Sequence, residues 1–195
     1  MTEELHPTAD PAAFDVEGWL QDAHLPEESA TVYKRPDVVA ELTDLKRRIE
    51  LEERAAGGER AAAEQEVTPL EAEYATLLDA FSKSALTVYV QALTDDKLRS
   101  LRAEVDAATK DLTLVEQNAE FGYALLAAAI VAVKPAGGHR TPATFTTAKV
   151  KALVDSVGQT QVGLVLAARQ QAQNALPSVD ADFLHKRSGS EPGQE

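Results

Sequence analysis

The chain has no cysteine, which excludes disulfides, thiolate metal sites and a nucleophilic thiol, and which fits a reducing compartment such as the cytoplasm. It has no surplus of base. The formal charge is −13, and a broad footprint on nucleic acid or on an anionic membrane needs the opposite sign. The longest apolar run, Phe121 to Val133, falls short of the roughly 20 residues that span a bilayer, so it reads as a buried core helix. The opening MTEELHPTADPAAFD lacks a basic stretch followed by an apolar one, so no signal peptide is expected. Histidine is sparse: His6, His24, His139 and His185 are scattered, with no pair at i, i+4 and no metal-ligand spacing. No serine sits in a Gly-x-Ser-x-Gly elbow.

What is present is acidic, aliphatic and helical in pattern. The 195 residues suffice for one domain with a sizeable core and loose ends. Charge is uneven: residues 1 to 66 hold 17 acidic against 7 basic side chains, a net of −10, whereas residues 117 to 177 hold 2 against 5, a net of +3. Residues 1 to 13 carry two prolines and little to bury, so a flexible N-terminus is expected. Phe14, Val16, Trp19 and Leu20 then recur at helical spacing, a short amphipathic helix that should pack through its tryptophan.

Two strand-then-helix units organise the region 14–110. In the first, Ser29 to Arg35 alternate and Pro36-Asp37 open a helix with Val38, Leu42, Leu45 and Ile49 on one face. In the second, Leu86, Val88 and Val90 alternate with Thr87, Tyr89 and Gln91, and Thr94 caps a helix with the stripe Leu98, Leu101 and Val105. Between them Thr68-Pro69 and Glu71 start a helix with Leu70, Tyr74, Leu77 and Phe81, making an antiparallel helix hairpin. The fold class expected is mainly α (α+β), with a small two-stranded sheet covered on one face.

The region 111–177 belongs to the same domain. Residues 109 to 117 read as a connection, Ala119 to Val133 as the central core helix, and Pro135 to Pro142 as a loop. Thr146 or Thr147 caps a helix bearing Val150, Leu153, Val154 and Val157. Gly158 then turns the chain into a last helix with Val162, Val165, Leu166 and Arg169. Residues 178–195 read as a disordered tail with one apolar spike, Phe183-Leu184, flanked by charges. That spike reads equally as a docking motif and as an untethered tail.

Nothing in these patterns carries chemistry. Asp95 and Asp96 follow a capping threonine and are accounted for as first-turn acids, at about 0.3–1 kcal/mol each. Gly137-Gly138-His139-Arg140 lacks the preceding strand of a phosphate loop as read here, and a plain connection explains it. No catalytic, cofactor-binding or metal-binding residue is assigned, and a non-enzymatic protein is expected.

Three stretches carry a resemblance. They are Leu25-Pro26-Glu27 leading into Val32-Tyr33-Lys34-Arg35-Pro36-Asp37-Val38-Val39-Ala40-Glu41-Leu42, then Glu120-Phe121-Gly122-Tyr123-Ala124-Leu125-Leu126-Ala127, then Val179-Asp180-Ala181-Asp182-Phe183. In them the chain resembles the tail assembly chaperone proteins encoded beside the major tail protein in long-tailed phages and prophages of actinobacteria. The resemblance implies a non-enzymatic protein of the host cytoplasm that binds the tape measure protein, keeps its long apolar helix soluble and helps recruit tail tube subunits. The acidic charge and the short apolar run predict no nucleic-acid or membrane partner, and a homo-oligomer stays open. On that reading Val38, Leu42, Leu45, Ile49, Val162, Val165, Phe183 and Leu184 are the candidate partner-binding residues. The rival readings are a structural virion protein of the connector or terminator type and a small-molecule enzyme.

Overall fold

The computed structural model describes residues 15–21, 23–55 and 67–175. In chain order these form α1 (Val16–Gln21), β1 (Glu27–Tyr33), α2 (Val38–Ala55), α3 (Pro69–Lys83), β2 (Ala85–Gln91) and α4 (Asp95–Ala108). Then follow α5 (Leu114–Ala129), β3 (Ile130–Pro135), β4 (Thr141–Pro142), α6 (Thr147–Val157) and α7 (Gln159–Asn174). The chain is mostly helical, as expected.

The sheet is larger than the sequence suggests. It has four antiparallel strands in the order β1-β2-β3-β4, not two. The expected pair is there, with Thr31 opposite Thr87 and their hydroxyls 3.2 Å apart. The third strand comes out of the run read as one core helix. That helix ends at Ala129, and Ile130, Val131 and Val133 continue as β3. Alanine and leucine favour the helix and stiff β-branched side chains favour the strand, so composition changes here although hydrophobicity does not. The expected loop from Pro135 to Pro142 accordingly closes a short hairpin onto β4, with Gly137 at φ 69° in its turn. A register shift between Tyr89 and Val90 marks a bulge, where Val90 pairs with Ile130 and Tyr89 with Ala132.

Among the described residues, threonine starts four helices. Thr68, Thr94, Thr113 and Thr146 each accept a hydrogen bond from the backbone three residues on. Thr146, not Thr147, is therefore the cap of α6. Thr113 moves the start of α5 back into the stretch read as a connection, and its N–H and hydroxyl both donate to Glu116. Those bonds hold the Glu116 carboxyl below the usual carboxylate range.

Helices α5, α6 and α7 cover one face of the sheet. Val32, Val88 and Val90 meet Leu126, Ala129, Ile130, Val150, Val162, Val165 and Ala168 in one buried cluster. The opposite face carries Thr31, Thr87 and Tyr89. Arg140 crosses it, its guanidinium 4.5 Å from the centre of the Tyr89 ring and 2.7 Å from the Glu27 carboxylate. Helices α2 and α3 form the expected hairpin between β1 and β2, and Tyr33 stacks on Phe81 at 4.2 Å where the hairpin leaves the sheet. Helix α1 does not pack as read. It buries none of its residues, and Trp19 is 60% exposed. Helical spacing identifies a shared face, but not whether the same chain has a surface to receive it.

Between α6 and α7, Gly158 has φ 84° and ψ 153°, a backbone region open essentially to glycine alone. Gly158→Ala is expected to cost about 1–3 kcal/mol in urea unfolding, through strain and not contact, because a Cβ there would meet nothing within 4 Å.

Candidate partner-binding groove

The sequence places its candidate partner-binding residues on two helix faces and a tail, and the structure treats them differently. Val38, Leu42 and Leu45 are 3%, 9% and 2% exposed, so the chain itself buries this stripe. Ile49 is half-buried and lines a shallow recess of about 330 Å³ between α2 and α3, beside Lys46, Glu50, Glu53 and Tyr74. Charge surrounds that recess. Val165 is in the core with Val88, and Val162 is buried in the same cluster. Phe183 and Leu184 lie outside the described residues. The two helix faces are thus not brought together into one surface.

Val162 leads to a surface that periodicity does not reveal. It lies on the floor of a groove of about 170 Å³ between α5 and α7. From α5 come Ala119, Gly122, Tyr123 and Leu126, and α7 adds Gln159, Gly163 and Leu166 to Val162. Leu126 and Val162 are buried and make the floor apolar, while Leu166 is 37% exposed at the rim. The glycines make the space. A Cβ built on Gly122 or on Gly163 meets nothing within 4 Å, so both positions open directly onto the groove. Glycine inside a helix costs roughly 1 kcal/mol relative to alanine, and one on each facing helix is the signal the sequence offers for this site.

Electrostatics frame the groove at its edge. Lys151 on α6 bonds Glu120 at 2.6 Å, and its ammonium lies 5.5 Å from the centre of the Tyr123 ring. This pair is partly exposed and contributes little to stability, but it leaves the lining itself free of charge. Such a groove takes an apolar side-chain row presented at helical spacing.

Among the described residues, no group of three or more His, Asp or Glu side chains is placed to hold a metal ion. Among the same residues, no helix is long and apolar enough to cross a membrane. Comparison of the chain with protein-family models, with curated proteins and with solved structures found no match.

Proposed function

We propose that the chain is a non-enzymatic tail assembly chaperone of a long-tailed phage. In this reading it holds an apolar helix of the tape measure protein in the groove between α5 and α7, in the host cytoplasm, and helps bring tail tube subunits to it. The observation that carries the reading is the pair Gly122 and Gly163, which opens an apolar groove to the backbone of both helices. Helix-in-groove recognition depends on a lining of this kind, where anchors at i, i+3 or i+4 and i+7 enter an apolar channel. One of the stretches that carries the resemblance, Glu120 to Ala127, supplies Gly122, Tyr123 and Leu126 to this lining. The stripe Val38, Leu42 and Leu45 then has a structural role, in building the α2–α3 hairpin.

The test is co-expression with the tape measure protein of the same phage. The soluble fraction of that protein is expected to rise several-fold, and a tag on either protein is expected to retain the other. Unchanged solubility with no co-purification sinks the proposal. The structural-virion reading makes a separate forecast, because a connector or terminator is present at fixed stoichiometry in purified particles. A chaperone is absent from them.

A further inference from the structure

Arg169 on α7 is the buried charged side chain of the described residues, with 9% of its surface exposed. One terminal nitrogen, Nη2, donates to the Gln173 Oε1 at 3.0 Å, and the buried Nε has no partner among the described residues. No ion pair reaches it among the described residues, and burial alone lowers its pKa. A guanidinium taken out of water without a counter-charge is costly, whereas the same group facing a carboxylate makes a strong charge-assisted pair.

Its position says where the counter-charge would come from. Val162, Leu166 and Arg169 stand at i, i+4 and i+7, one row on α7, and the first two line the groove. Arg169 therefore stands one turn beyond the groove on the same row, next to its lining and not part of it. The next turn fixes its orientation, because Gln173 is itself tied to the main chain of Leu93, accepting from its N–H and donating to its carbonyl, both at 3.1 Å. None of the ion pairs among the described residues includes Arg169, and Glu120, the acid beside the groove, is taken by Lys151.

We propose that Arg169 receives a carboxylate from the helix that occupies the groove, so that the partner is an apolar helix carrying one Asp or Glu at the end of its buried stripe. This rests on the groove being the site of helix binding. The apolar groove supplies affinity and Arg169 supplies register, since a helix shifted by a turn leaves the guanidinium unpaired.

The experiment uses the full chain and two labelled synthetic peptides, Leu- and Ala-rich amphipathic helices whose apolar stripe ends in one Glu or, in the second, one Gln. The Glu peptide is expected to bind about 10- to 100-fold more tightly, the range of one charge-assisted pair. Arg169→Met is expected to bring the Glu peptide down to the affinity of the Gln peptide. Comparing the two peptides on the unaltered chain needs no variant to fold. Equal affinity for both peptides overturns the inference and leaves the groove intact as a binding site. Binding of neither peptide overturns the groove and the inference together. Self-association of the unaltered chain that Arg169→Met abolishes, without any peptide preference, overturns it in favour of a second copy as the source of the carboxylate.

Discussion

Gly163→Leu is expected to abolish capture of an apolar helix while leaving the chain folded. A Cβ at Gly163 meets nothing within 4 Å, so the new side chain extends into the groove without displacing either helix. It also removes a helix-interior glycine, which favours the folded state by roughly 0.8–1 kcal/mol. The result separates binding from stability in opposite directions. Affinity for the Leu- and Ala-rich peptide is expected to fall at least about 100-fold, the scale of losing a central anchor, and the melting temperature to hold or rise. Gly122→Leu blocks the groove from the α5 side and is expected to behave alike. Peptide anisotropy and thermal unfolding measured on the same preparations decide it. Retained affinity in both variants contradicts the placement of the site.

The second large effect concerns how α7 is held to the sheet. Gln161 accepts from the Tyr33 N–H at 2.7 Å and donates to the Tyr33 carbonyl at 3.0 Å, so a side-chain amide stands where a neighbouring strand would be. Gln173 does the same for Leu93, twelve residues further along α7. Two such clamps fix the helix at both ends and thereby set the groove between α5 and α7. Removing either leaves a partly buried main-chain donor and acceptor unpaired, which costs about 1–3 kcal/mol for each group before water access is allowed for. Gln161→Ala is therefore expected to lose about 2–4 kcal/mol in urea unfolding, and Gln173→Ala a similar amount. The sites share no partner, so the losses should add, which is enough to bring a domain of ordinary stability close to unfolding. Loss of less than about 0.5 kcal/mol in both single variants would show that the clamps hold nothing.

Much of this arrangement is legible in the residues, and the gaps have physical causes. Strands β1 and β2 show because alternation reports one buried face, and their pairing follows from the hairpin that joins them. The caps at Thr68, Thr94 and Thr146 and the turn at Gly158 show because few residues satisfy those backbone positions, whereas Thr113 is hidden in a stretch that reads as a connection. Strand β3 does not show. It continues an apolar helix with no glycine or proline to mark the change at Ala129 and Ile130. Although its burial alternates, Ile130 to Val133 are apolar on both faces, so the sequence shows no polar alternation. Only the change from alanine and leucine to isoleucine and valine marks it.

The candidate site divides in the same way. The stripes Val38, Leu42, Leu45 and Val162, Val165 are visible as apolar faces, yet periodicity is silent on whether a face meets its own chain or another. In this fold nearly all of that surface turns inward. The groove depends instead on what two helices lack at Gly122 and Gly163, and on a buried Arg169 whose row is apparent only once α5 and α7 are side by side. An expensive residue in an otherwise favourable helix is the clue that sequence does contain.

The most direct test of the proposed role places a photoreactive amino acid at Leu166, on the rim of the groove, in a chain co-expressed with the tape measure protein. The control carries the same group at Leu51, an exposed apolar position on α2. Crosslinking from Leu166 to one helical segment of the tape measure protein, and none from Leu51, is the predicted result. Crosslinking from Leu51 alone, or equally from both positions, would contradict a binding site between α5 and α7.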